Sequence, residues 1–181
     1  MSLHDRIEFA FISFMHDTMY SIFMDAEELL KPAGIKKGQK VLEVGCGPGF
    51  FTIPAAKIVG SKGFVYAIDI NPIAIKKVEK KIKKENIKNV EAMLTDVTNT
   101  KLQESSIDVA FFFGVIHNLI GIIDDVVKEM HRIIRSDGLI AIQKGRKSSE
   151  DIISLITQNK LFTFKDSKKR ILLFQKKEKE K

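Results

Sequence analysis

One cysteine, Cys46, is all the chain contains, and that excludes an internal disulfide framework and any zinc site assembled from several cysteines. Long apolar runs are missing too. Nothing reaches the ~18 residues of a membrane span, and the nearest approach, FAFISFM at 9–15, is too short. Asp5, Arg6 and Glu8 stand ahead of it and no small-residue cleavage site follows, so a secretory signal is not expected and the cytoplasm is the simplest setting. Internal repeats and a linker worth treating as a domain boundary are likewise absent. The 181 residues therefore read as one domain, 1–181, of a size that buries roughly 70% of its unfolded surface around a single core.

What the chain has in quantity is apolar and basic residues. Its 44% hydrophobic and 29% charged content is that of a soluble globular protein. The net charge of +7 permits a polyanionic partner. That charge is clustered: seven lysines fall between 76 and 88, and further basic groups lie at 144–147 and 165–181.

Residues 3–31 read as helical, with Phe9, Phe11, Ile12, Met15, Met19, Ile22 and Phe23 recurring every three or four positions. Pro32, Gly34 and Gly38 break that pattern. A repeating unit follows. KVLEVG (40–45) is a short β-branched strand, FFTIPAAKIVG a helix, GFVYAIDI (63–70) a second strand, and NPIAIKKVEKKIKKE a second helix with Pro72 near its start. On that helix Ile75, Val78 and Ile82 form one apolar stripe, and Lys76, Lys77, Lys80, Lys81, Lys83 and Lys84 lie largely off it, the usual arrangement of a solvated face. NVEAML (89–94) is strand three, and IDVAFFFG (107–114) a fourth strand apolar enough for burial on both faces. Ile123, Val126, Val127, Met130, Ile133 and Ile134 give a helical stripe, then comes a turn at SDG and the strand LIAIQ. Strands alternating with helices imply right-handed crossovers and a parallel sheet with helices on both faces. After a helix over 148–159, LFTF and RILLFQ around KDSKK read as a hairpin that adds an antiparallel strand.

Directly after the first strand stand Gly45, Gly47 and Gly49. In an open α/β sheet ligands lie outside the carboxyl ends of the strands, and glycines there admit positive φ and let a ligand pack against bare main chain; the competing reading is a plain tight turn. The spacing is GxGxG, with Phe50 where a dinucleotide fingerprint needs its third glycine, and no GK followed by Ser or Thr is present. A nucleoside without a phosphate chain fits better. Asp69 ends the second strand 20 residues after Gly49, where a carboxylate can accept bonds from both ribose hydroxyls; otherwise it caps the helix at 72. Asp96 ends the third strand and brings its carboxylate and the Val97 N–H towards an adenine edge, or else closes an Asx turn.

VLEVGCGPG, VYAIDINP, TDV, IDVAFFFGVIHNL and EMHRIIRSDGLIAI together resemble the successive motifs of class I S-adenosylmethionine-dependent methyltransferases, closest in flavour to the ubiquinone/menaquinone-biosynthesis type, over roughly 38–176. The resemblance implies a Rossmann-like doubly wound α/β sheet of seven strands in the order 3-2-1-4-5-7-6, mostly parallel with an antiparallel last strand. It implies S-adenosyl-L-methionine as cofactor and S-adenosyl-L-homocysteine as product. Glu43 and the glycine loop (Gly45, Cys46, Gly47, Gly49) would hold the methionine portion, Asp69 with Ile70 the ribose, and Asp96 with Val97 the adenine. Phe113 and Gly114 would line the methyl-donor end. Residues 38–176 would form the cofactor core, and 1–37 either a lid or a helical segment packed on the sheet.

Transfer of a methyl group from a sulfonium is an in-line displacement that requires neither a metal nor a covalent nucleophile. Positioning alone supplies ~7 to 11 kcal/mol when donor and acceptor are held at attack distance. His117, just past the fourth strand, is the one candidate for orienting or deprotonating an acceptor hydroxyl or amine, against the reading of a structural histidine; His16, Asp17 and Tyr20 are weaker candidates. A cysteine after strand four, several cysteines, and an Asn/Asp-Pro-Pro-aromatic motif are all missing, which argues against C5-pyrimidine, arsenic and amino-nucleobase chemistry. The expected acceptor is a small or medium molecule methylated at C, O or N. Lys144, Arg146 and Lys147 follow strand five on the ligand side, where they either meet an anionic substrate or serve solubility. Two other readings stand beside it: an enzyme that methylates RNA through its basic surface, and a cofactor-binding scaffold without an acceptor site.

Overall fold

The computed structural model describes residues 25–145 and 147–178. The expected lid up to residue 24, with His16, Asp17 and Tyr20, lies outside the described residues, as does Arg146. The elements run α1 (Ala26–Leu30), β1 (Lys40–Val44), α2 (Thr52–Val59), β2 (Phe64–Asp69), α3 (Pro72–Lys84), β3 (Val90–Leu94), β4 (Ile107–Phe112), two 3-10 turns (Ile116–Asn118 and Ile120–Ile122), α4 (Ile123–Ile133), β5 (Ile134–Gln143), α5 (Ser149–Thr157), β6 (Phe162–Lys168) and β7 (Ile171–Lys176). The strands form one sheet in the order β3-β2-β1-β4-β5-β7-β6. β7 is antiparallel to both neighbours and the pairings among β1 to β5 are parallel, as the motifs imply.

Helices cover both faces because the strands are apolar on both. β4 is buried at all six positions. On one face Leu42, Ala110, Phe112, Ile140 and Ile142 pack against Val126, Val127, Met130 and Ile133 of α4 and Ile152 and Ile156 of α5. On the other, Val41, Val65, Phe111 and Ala141 meet Leu29 and Leu30 of α1 and Ala55, Ala56 and Val59 of α2. α3 lays Ile75 and Val78 on Ala67 and Cys46. Its N-cap is Asn71, whose side chain accepts from the Ile73 N–H at 2.9 Å, with Pro72 at the first helical position. Asp69 is therefore not the cap of this helix. Three lysines in the last turn, Lys81, Lys83 and Lys84, oppose the helix dipole.

Two expectations change. The turn at SDG is a bulge within β5: Ile107 pairs with Ile134, but Val109 pairs with Leu139. A Cβ on Gly138 would sit 2.5 Å from Ile134 Cγ2 and 2.8 Å from the Asp108 carbonyl oxygen, so only glycine lets the bulge close against β4. Asp108 anchors it by pairing with Arg135 and accepting from the Lys40 N–H at 2.6 Å. Ile134 accordingly opens β5 and does not end the helical stripe. The hairpin is also longer than expected, with KDSK in β6 and the turn at Lys169 (φ +55°).

The segment between β3 and β4 is fastened to α4 by a buried carboxylate. Glu129 accepts from the Thr100 N–H (2.9 Å) and hydroxyl (2.6 Å) and from two Arg132 nitrogens (2.7 and 2.8 Å). Burial pushes the Glu129 carboxyl up, but the Arg132 and Thr100 bonds outweigh it and hold it below its usual range. A depressed carboxylate contributes stability that is present above the unfolded value of about 4.3 and is lost as pH falls through the folded one. Glu129→Gln is expected to destabilise by ~2 to 3 kcal/mol at pH 7, through charge-assisted bonds lost to Arg132 and Thr100. The difference from wild type should shrink towards pH 3, read as urea midpoints at the two pH values.

Candidate functional site

The carboxyl ends of β1, β2, β3 and β4 and the segments that leave them enclose a cavity of about 460 Å³, within the usual range for small-molecule and cofactor sites. Its central wall is the glycine loop. Gly45 (φ +71°) and Gly47 (φ +51°) occupy the left-handed region. A Cβ on Gly45 would lie 2.7 Å from Val115 Cγ2, so the loop can approach the segment after β4 only without a side chain. At Gly47 a Cβ would meet nothing within 4 Å, and the main chain there faces open space. The Gly45 and Cys46 N–H groups both donate to the Ile68 carbonyl, at 2.9 and 3.0 Å, which turns the loop over the end of β2.

Asp69 joins three elements. One carboxylate oxygen accepts from the Gly47 N–H at 2.9 Å and the other from the Asn71 N–H at 2.8 Å. Each oxygen keeps lone-pair capacity, since a carboxylate offers about four acceptor sites. Asp96 does close an Asx turn: one oxygen accepts both the Thr98 N–H (2.8 Å) and its hydroxyl (2.7 Å), which holds the carboxyl below its usual range. Its second oxygen takes no bond from the described residues. Both acids line the cavity, between apolar walls that include Val44, Ile68, Val97 and Leu119.

Of the residues singled out in the sequence, Gly45, Gly47, Asp69, Ile70, Asp96, Val97, Phe113 and Gly114 line this cavity together. Ile70 stands at its rim, 75% exposed. Glu43, Cys46, Gly49 and His117 do not line it. Gly49 packs its backbone on Val78 of α3. Cys46 is buried beneath the loop among Ala67, Ile75 and Val78, and burial, with the nearby Glu43 and Asp69 carboxyls, pushes its thiol up, which suits packing and not nucleophilic attack. His117 is exposed on the first 3-10 turn, where Ile116 takes the core position and Asn118 the cavity-facing one. His117 stands outside the cavity lining, between Val115 and Asn118, which are within it. Sequence reasoning passed over Asn71, Thr95, Asn118, Leu119 and Ile122, which do line the cavity. Each lies within two residues of a strand end or in HNLIGII, and that position was the available signal.

Glu43 lies behind the loop. It is 3% exposed, and its carboxyl accepts one bond, from the Thr52 hydroxyl at the start of α2 (2.5 Å). It therefore ties the loop's exit to β1 and does not reach the cavity. Burial pushes the carboxyl up to about 8, assisted by the Asp69 charge and opposed by the Thr52 bond and Lys81. A raised carboxyl is neutral in the fold while the unfolded chain ionises near 4.3, so stability is highest below that value and falls as pH rises to about 8. Glu43→Gln, which keeps an acceptor for Thr52 and cannot ionise, should remove this slope. Its unfolding midpoint should gain on wild type progressively between pH 5 and pH 8, and parallel pH profiles for the two proteins would refute the assignment.

With this geometry in hand, the chain can be compared with known proteins. A family described as methyltransferase domain matches residues 35–179. Demethylmenaquinone methyltransferase of Lactobacillus johnsonii is 28% identical over 130 residues, 71% of this chain and 53% of that protein. Demethylmenaquinone methyltransferase of Staphylococcus aureus is 35% identical over 119 residues, 63% and 46% of the two. The chain thus spans about half the length of the curated relatives it matches. Among solved structures, a SAM-dependent methyltransferase from Aquifex aeolicus is 27% identical with a TM-score of 0.73, covering 83% of this chain and 88% of that one. A Methanococcus maripaludis structure, 16% identical with a TM-score of 0.76 over 96% and 93% of the two chains, shares the fold. The carboxyl-edge cavity, the glycine loop and the acid at the end of β2 are therefore those of a member of the class I S-adenosylmethionine-dependent methyltransferase family, to which this chain belongs.

Proposed function

We propose that the chain binds S-adenosylmethionine in the 460 Å³ cavity and transfers its methyl group to a small acceptor with a flat, largely apolar body. The observation that carries this reading is Asp69: a half-buried carboxylate already fixed by two main-chain N–H groups, presented to the cavity with acceptor capacity left over. Ribose hydroxyls are the donors such a group suits. The unbonded oxygen of Asp96 and the Val97 N–H offer an acceptor and a donor to the edge of a purine. The open main chain at Gly47 accommodates the amino-acid end.

When bound, the cofactor supplies a methyl group on a positively charged sulfur, which an acceptor atom takes in line as the carbon–sulfur bond breaks and a thioether is left. The protein's share is positioning and exclusion of water. Val44, Ile68, Val97 and Leu119 leave little for water to bond to, and Phe113 and Gly114 border the donor end. His117 lies outside the cavity lining, and an acceptor that ionises readily by itself or attacks through carbon needs no histidine there. The flat apolar body is inferred from the aromatic side chains around Phe113, and the quinone in the names of the curated relatives is consistent with it.

Asp69→Ala should weaken S-adenosylhomocysteine binding by roughly tenfold to a hundredfold, the equivalent of one or two charge-assisted bonds of ~1.5 to 3 kcal/mol. Isothermal titration measures it, and an unchanged affinity would remove Asp69 from the site. Transfer of a radiolabelled methyl group to quinol, phenol and amine acceptors tests the reaction itself.

A further inference from the structure

We infer that Gln143 is the hydrogen-bonding anchor of the acceptor subsite, and that the acceptor presents a hydroxyl or carbonyl oxygen on a flat ring. This deepens the function proposed above and rests on it. The starting point is an exception in the core. The buried polar or charged side chains among the described residues are Glu43, Thr52, Thr100, Asp108, Glu129 and Gln143. Five of them bond to one another, to Lys40 or to arginine. Gln143 is 7% exposed, and its carboxamide bonds to none of the described residues. Buried amides left without a partner are rare in native structures and call for an explanation. Nor is this amide sealed away. The one side-chain nitrogen or oxygen among the described residues that is both fully enclosed and unbonded is Nδ2 of Asn159, so the tip of Gln143 keeps some exposure to space outside the core, one strand beyond Phe113 and next to the lining of the cavity without being part of it.

The sheet register says which space. Val44 pairs with Ile68 and with Phe112, Phe112 pairs with Ile142, and Gln143 pairs with Ile171. One step further along each strand, Asp69, Gly45, Phe113, Gln143 and Ile171 form a single row across the carboxyl edge. Phe113 and Ile171 belong to the core on the α1 and α2 face, and Gln143 shares that face because it alternates with Ile142, which packs on the other. Asp69 and Gln143 stand three strand spacings apart, about 14 Å at ~4.8 Å per spacing. That span accommodates a ribose and a sulfur and then the ring of an acceptor. Phe113 lies between them, meeting Phe51 edge-on at 5.0 Å and Phe111 at a tilt at 5.1 Å, an aromatic floor for such a ring. A neutral carboxamide both donates and accepts, so it selects an oxygen in either protonation state and demands no charge on the acceptor.

Gln143→Leu, close in volume and unable to bond, tests the assignment. S-adenosylhomocysteine affinity should stay within twofold of wild type. With that compound bound, 1,4-dihydroxynaphthalene should bind the variant at least tenfold more weakly, whereas 1,4-dimethylnaphthalene, which has no oxygen, should bind both proteins alike. The melting temperature of the variant should rise, because an unpaired buried amide has been removed. Equal binding of the dihydroxy probe, a lower melting temperature, or failure of the wild type to bind that probe at all would overturn the inference while leaving the cofactor site intact. Failure of the wild type to bind S-adenosylhomocysteine would overturn both.

Discussion

The grip of the Asp69 carboxylate on two main-chain N–H groups is the joint on which the rest of the site depends. A loop with glycines at 45, 47 and 49 has more conformational freedom to lose than any other stretch of its length. Four bonds restrict that freedom: Gly45 and Cys46 onto the Ile68 carbonyl, Gly47 onto Asp69, and Gly49 onto the Cys46 carbonyl. The same carboxylate takes the Asn71 N–H, and Asn71 caps α3. The end of β2 thereby sets the position of the loop before it and the helix after it. The acid proposed to meet the ligand is also the acid that shapes the cradle.

Two buried carboxyls behind the cavity differ in charge because they differ both in depth and in partners. Glu43 and Glu129 are 3% and 7% exposed. Glu43 receives a single hydroxyl bond, too little to offset its lost hydration, and its proton is retained to about 8. Glu129 receives four donors, two of them from a guanidinium, and stays ionised below the usual carboxylate range. The neutral acid ties the loop exit to β1. The ionised one ties the segment carrying Asp96 and Val97 to α4, so the two walls of the cavity are braced by different chemistry.

Much of this was legible in the sequence, and the failures share a cause. Periodicity located the strands and helices, and the glycine loop with Asp69 located the cavity, because those signals are local. The strand order followed from the resemblance, since no spacing encodes which strands become neighbours. SDG looked like a turn because the reason for Gly138 lies in Ile134 and the Asp108 carbonyl, contacts that exist only once β4 and β5 have met. The direction of His117 could not be read because HNLIGII has no period; on the first of two successive 3-10 turns it is exposed and outside the cavity lining. Glu43 sits on the α2 side of β1, an orientation alternation alone allowed but did not require. Gln143 attracted no notice because a polar residue closing LIAIQ is unremarkable until its lack of a partner is seen.

The place of β7 in the sheet bears on how the chain assembles. Among the described residues β6 pairs with no strand but β7, which fills the slot between it and β5. Ile171–Lys176 must therefore leave the ribosome before β6 can be recruited, and until then the β5 edge, with Leu139, Ala141 and Ile142, is open to any extended segment nearby. The reversed strand acts as a keystone, and a released chain truncated at residue 170 would carry a sheet with an unprotected, strongly apolar border.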